Sequence, residues 1–127
     1  MANYSYWNEY VGFRFSLSAK ALLKLPRWAA RDAFPPLSPR AAIANAETVV
    51  KGLLKEAGSF DPKFSRCSLR QLDEEAWYYE VCWFVPDHED AAADWSEFSV
   101  PVLFDGSTPK PHRFNYVDRF EIYGWPD

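Results

Sequence analysis

Between Ala76 and Val85 the chain reads AWYYEVCWFV, and no other short run narrows the possible folds as much. Side chains on a strand alternate between its two faces. Trp77, Tyr79, Val81, Trp83 and Val85 therefore fall on one side, and Tyr78, Glu80, Cys82 and Phe84 on the other. The first side is apolar throughout, and the second carries two aromatic rings and a thiol around a single carboxylate. Soluble domains rarely leave such patches bare, so both faces call for cover. The Trp77 side is expected to be the core face. Over the Tyr78 side, the aromatic N-terminal segment or the C-terminal FEIYGW is expected to fold. The competing expectation for that second face is a protein interface, including a homodimer through Tyr78 and Phe84.

The cover for the core face is legible upstream. Ser38 is placed to cap a helix, Pro39 suits the first helical position, and Gly58 follows the last periodic residue. Between them Ile43, Ala46, Val50, Leu53, Leu54 and Ala57 recur at three- and four-residue spacing as one apolar stripe. Asn45, Thr48, Lys51, Gly52 and Lys55 lie on the opposite side. Residues 11–17 alternate as a half-buried strand, with Val11, Phe13, Phe15 and Leu17 on one face and the aromatic residues before them extending it. Further strands are expected at 64–72, 76–85 and 97–104, the last turning Phe98, Val100, Val102 and Phe104 to the core before a turn at Asp105 and Gly106. Pro101 has no amide hydrogen and implies an edge or a bulge. The prolines between Leu22 and Arg40 leave room for one short helical stretch and an extended connector.

Short connections favour an antiparallel meander. A three-residue loop at Glu74 to Ala76 would set Arg70 opposite Glu80, Leu69 opposite Val81 and Cys67 opposite Trp83. A two-residue loop would set Cys67 against Cys82 and place two glutamates in a turn that prefers Asn or Gly, so the first register is expected. The chain of 127 residues holds enough for one core. The expected architecture is a single α+β domain over 1–127, with one main amphipathic helix packed on an antiparallel sheet of about four strands.

Charge is unevenly spread. Residues 71–109 hold ten carboxylates and no Lys or Arg, whereas 14–40 carry Arg14, Lys20, Lys24, Arg27, Arg31 and Arg40 against Asp32 alone. The net charge of -4 and the pI of 5.2 argue against nucleic acid as a partner. Two cysteines without a C-x-x-C spacing give neither a disulfide scaffold nor a zinc site, and His88 and His112 stand beside no nucleophile. The acidic run from Asp87 lacks the glycine and terminal glutamate of an EF-hand loop. Five unclustered glycines offer no phosphate cradle. No catalytic residue, metal or cofactor is therefore expected. The N-terminus lacks the pattern of a secretory signal and no run approaches the roughly 18 apolar residues of a membrane span. The expectation is a cytoplasmic protein with no membrane partner.

Over residues 38–105, the order helix, strand, aromatic strand WYYEV, strand resembles the small PepSY and cystatin-like domains, in which one helix packs on an antiparallel sheet. The resemblance implies a binding or inhibitory role. In size, acidity and location the chain is similar to bacterial toxin-immunity proteins, which cover a partner's active site. The expected function is non-enzymatic binding of a basic protein surface, on a toxin or an enzyme. Its expected contacts are Asp87, Glu89, Asp90, Asp94, Trp95 and Glu97, together with Tyr78 and Phe84. The alternative is a small-molecule or peptide pocket between helix and sheet, lined by Trp77, Tyr79 and Trp83.

Overall fold

The computed structural model describes residues 2–8, 11–23, 25–28, 32–56, 61–73, 76–86 and 95–115. Along the chain these form β1 (Ala2–Trp7), β2 (Val11–Leu17), α1 (Ala19–Leu22), α2 (Pro39–Glu56), β3 (Lys63–Asp73), β4 (Ala76–Pro86), β5 (Trp95–Val102) and β6 (His112–Asn115). The α+β class and the single main helix agree with the sequence pattern. The sheet does not: the strands divide into two antiparallel three-stranded sheets, β1-β2-β6 and β3-β4-β5.

The division begins at the N-terminus. The aromatic residues before Val11 do not lengthen β2; they fold back on it as a separate strand, with Tyr4 opposite Phe15 and Tyr6 opposite Phe13. Asn8 holds the reversal, accepting the Val11 amide on its side-chain oxygen at 2.8 Å and donating its own amide to the Val11 carbonyl at 3.0 Å. Val11, Phe13, Phe15 and Leu17 are all buried. On the far side of β2 the ladder continues into β6, where Val11 meets Asn115 and Gly12 meets Phe114. Residues 116–127, with the FEIYGW run, lie outside the described residues.

The short helix expected between Leu22 and Arg40 forms earlier, at Ala19–Leu22, where no proline interferes and Ser18 accepts the Ala21 amide. In α2 the Ser38 hydroxyl accepts the Ala41 amide at 3.1 Å. Its buried line is Ala42, Ala46, Val50 and Leu54, with Ile43, Val49 and Leu53 partly covered, so the expected stripe faces the core and gains Ala42 and Val49, while Ala57 and Gly58 lie outside the described residues. Asn45, Thr48, Lys51, Gly52 and Lys55 are exposed. Small residues in the first half of the stripe let the helix lie close to Tyr79, Val81, Trp83 and Val85 of β4 and to Phe98, Val100 and Val102 of β5. Tyr79 also donates its hydroxyl to the Leu37 carbonyl at 2.6 Å, tying the entrance of α2 to the sheet.

Phe98 joins the two sheets. Its ring stacks on Tyr6 at 4.5 Å and lies 6.3 Å from both Phe13 and Phe15. Among the described residues β5 is an edge strand, which suits Pro101. It ends at Val102, yet Phe104 stays buried in the following turn and packs edge-on against Tyr79. Gly106 closes that turn at φ +89°, a conformation that favours glycine, and its carbonyl accepts Asn45 from α2 at 2.9 Å.

The β3–β4 register departs from the expected one by two residues. Asp73 pairs with Ala76 across a two-residue connection, and Leu72 then drops out of the ladder, so that Gln71 meets Trp77, Leu69 meets Tyr79, Ser68 meets Glu80 and Cys67 meets Val81. The two-residue connection is thus the one formed, and the interruption at Leu72 moves the pairing one residue beyond what that connection alone would give, so Cys67 does not meet Cys82. An offset of two preserves every face. Cys67 therefore lies on the helix side and Cys82 on the opposite side, both as free thiols.

Gly12 generates a test of the first sheet. A Cβ there would run into the indole of Trp7, the residue opposite it in the ladder, and that indole is packed against Phe114 at 5.4 Å. Gly12→Ala is expected to destabilise by about 1–3 kcal/mol, as overpacking usually does. The loss should shrink in a Trp7→Ala background. Urea midpoints of the four proteins in the cycle measure the coupling, and additive effects would contradict the contact.

Candidate functional site

The face of the second sheet turned away from α2 is formed by Tyr78, Glu80, Cys82 and Phe84 of β4, flanked by Arg66, Ser68 and Arg70 of β3 and by Trp95, Glu97 and Ser99 of β5. Its upper end is covered from within the chain. Tyr78 is buried in a cluster with Leu17, Leu22 and Leu103, and Tyr4 packs edge-on against its ring. Of the two segments expected to cover this face, the N-terminal one does so.

Glu80 is the buried carboxylate of the face, with its side chain 9% exposed. Burying an ion requires partners. Arg70 Nε lies 3.0 Å from one oxygen, Arg66 Nη2 lies 3.5 Å from the other, and the Tyr4 hydroxyl donates to the first at 3.1 Å. Because that hydroxyl has one proton and gives it to the carboxylate, Tyr78 is the donor in the bond between the two phenols. Burial, then the Tyr78 bond, then the Tyr78 and Glu80 charges, hold the Tyr4 phenol well above its ordinary ionisation range. It remains a donor.

A second group follows toward the open end of the sheet. The buried Cys82 thiol donates to Glu97 Oε1 at 2.8 Å, and Arg66 Nη1 binds the same oxygen at 2.7 Å. Burial first, and then this bond, push the Cys82 thiol up to about 11. The thiol and the guanidinium together hold the Glu97 carboxyl below its usual range. A cysteine kept protonated is a poor nucleophile. The arrangement pins the charges of the face to one another; it does not activate a group.

Among the residues expected to make contacts, the structure separates three kinds. Phe84 and Trp95 are each 41% exposed on this face, two rungs apart and diagonal to one another, since Phe84 pairs with Glu97 and Pro86 with Trp95. Tyr78 and Glu97 are engaged inside the protein, so Tyr78 offers no ring to a partner and Glu97 is not an unneutralised carboxylate. Asp87, Glu89, Asp90 and Asp94 lie outside the described residues. Tyr79 and Trp83, named for a pocket, are packed in the core beneath α2, while Trp77 is half-buried with Trp28 edge-on at 5.1 Å. The Trp83 indole nitrogen is buried with no hydrogen-bond partner among the described residues.

Sequence reading anticipated Arg70 beside Glu80 and overlooked Arg66 and Tyr4. A lone glutamate within WYYEVCWF was the available signal: it demands several donors, and the neighbouring strand and the aromatic N-terminus are where they could come from. Among the described residues no group of three or more His, Cys, Asp or Glu is placed to hold a metal, and no helix is long and apolar enough to cross a membrane. His112 is exposed and packs against Phe114. No protein-family model, characterised protein or solved structure gives a significant match to this chain.

The Cys82 thiol gives a test in pH. Its folded value is raised to about 11, so its stabilising contribution is complete below the unfolded thiol range and fades as pH rises toward that value. The stability advantage of wild type over Cys82→Ser should therefore shrink above about pH 9. Denaturant midpoints at successive pH values measure it, and an advantage unchanged through that window would contradict a protonated thiol buried against Glu97.

Proposed function

We infer that this protein acts by binding another protein, without chemistry of its own, at the end of the second sheet where β4 and β5 part. The observation that carries the reading is the pair Phe84 and Trp95. Both stand part-exposed on one face as diagonal neighbours two rungs apart, whereas Tyr78, Tyr79, Trp83 and Phe98 on the same two strands are buried. Between them the sequence runs through Asp87, Glu89, Asp90 and Asp94 with no Lys or Arg. Aromatic anchors beside carboxylates suit a basic protein surface: charge speeds the encounter and the desolvated ring slows release.

A toxin or enzyme whose working surface is basic is the partner class that fits, inhibited by being covered. The helix and strand order of residues 38–105, which resembles PepSY and cystatin-like domains, supports the same role. Cytoplasmic residence belongs to this proposal, as does the absence of any cofactor.

The test compares wild type with a Phe84→Ser/Trp95→Ala variant as baits in a lysate of the native host. The partner is expected with wild type alone. With that partner purified, Asp90→Asn combined with Asp94→Asn should slow association at low salt, and Trp95→Ala should speed release about tenfold. Equal recovery by both baits, together with association indifferent to ionic strength, would exclude this surface.

A further inference from the structure

β3 is the outer strand of the second sheet. β4 pairs along one of its edges, and among the described residues no strand pairs along the other. It is 11 residues long, about twice the common strand length. A long open edge presents a row of backbone donors and acceptors that can template a further strand. Its inner side is thinly covered as well: α2 packs on β4 and β5, and along β3 Phe64 is 48% exposed while Cys67 and Leu69 are only partly buried.

We propose that this edge is the dimer seam of the protein, with a second copy pairing its own β3 antiparallel about Ser68. The strand is self-complementary in that register. Judged by its pairing with β4, β3 directs Lys63, Arg66, Ser68, Arg70 and Asp73 to the outer face and Phe64, Cys67 and Leu69 to the inner one. Rotation about Ser68 sets Cys67 against Leu69, inner with inner, and Lys63 against Asp73, outer with outer and positive with negative. The two register interruptions make this possible. One falls between Phe64 and Arg66 and the other between Gln71 and Asp73, on opposite sides of Ser68. Each half of the strand thus carries one extra residue, and the faces agree at both ends. A single interruption would have put Lys63 and Asp73 on opposite faces.

Of the other positions, Phe64 and Ser65 meet Gln71 and Leu72 around the interruptions without charge, whereas Arg66 against Arg70 brings like charges together, and both are already neutralised. Arg66 lies 2.7 Å from Glu97 and Arg70 lies 3.0 Å from Glu80. For the same reason the edge has little unsatisfied positive charge with which to select an acidic peptide. Bulges and edge cations ordinarily discourage stray strands; here they are spaced so that the chain's own β3 still fits. The interface is isologous, as a two-fold dimer requires. It is distinct from any dimer through Tyr78, which is buried, and it adjoins the Phe84 and Trp95 surface only at Lys63, the partner of Phe84.

Sedimentation of the full chain at low salt, from micromolar to millimolar concentration, is expected to show a reversible monomer–dimer equilibrium. Lys63→Glu and Asp73→Lys should each raise the dimer dissociation constant about tenfold, because each places like charges opposite one another at two symmetric rungs. An equimolar mixture of the two variants should recover the wild-type association, since every introduced charge then meets its opposite. Ser68→Cys should form an intermolecular disulfide under mild oxidation, as its two copies are directly opposite. A wild-type monomer across the whole range overturns the proposal. So does a dimer that the single variants leave unchanged or that their mixture fails to restore.

Discussion

Two sheets that share no backbone ladder among their described residues must be joined by side chains, and Phe98 is where they meet. Its ring belongs to β5, beneath α2, and it touches Tyr6, Phe13 and Phe15 of the first sheet. Aromatic pairs of this kind contribute about 0.5–1.5 kcal/mol each beyond the area they bury. Their geometry matters more than the sum. Tyr6 can stack on Phe98 only because β1 folds back on β2, and that same reversal delivers Tyr4 to the far side, where it donates to Glu80. One hairpin therefore serves the core with one residue and the outer face with another.

The helix, the core face of β4 and the inward residues of β5 were legible in the sequence because each follows a simple period. Val50 and Leu54 recur at helical spacing, and Tyr79, Val81, Trp83 and Val85 alternate. Two things were not legible. The return of residues 2–7 as a separate strand depends on Asn8 bonding the Val11 backbone, a local contact with no periodic signature. The β3–β4 register depends on whether Leu72 enters the ladder, and a bulge leaves the alternation of faces intact while moving every cross-strand partner. The charges do meet, but not across a rung: Arg70 reaches Glu80 diagonally, while Ser68 sits opposite.

The same geometry changes how the acidity of residues 71–109 should be understood. Two of its carboxylates, Glu80 of β4 and Glu97 of β5, are neutralised by arginines of β3 in the same sheet, and not by the basic stretch at 14–40. The outer face is consequently a patchwork of paired charges. Cys82, held protonated among them, packs as a small apolar side chain with one donated bond. What this face presents to solvent at its open end is aromatic, at Phe84 and Trp95, which is why a binding role fits it better than a catalytic one.

The ladder between β2 and β6 has a consequence for biosynthesis. Val11 pairs with Asn115, so the first sheet is closed by residues made long after β1 and β2, whereas β3, β4 and β5 are consecutive and pair with their immediate neighbours. As the chain leaves the ribosome, β2 waits with one edge unfilled while the helix and the entire second sheet are synthesised. Contacts between distant segments form late and slowly. Throughout that interval the edge of Val11 to Arg14 is open to any strand of a nascent neighbour, and the protein's greatest exposure to mispairing belongs to its unfinished state.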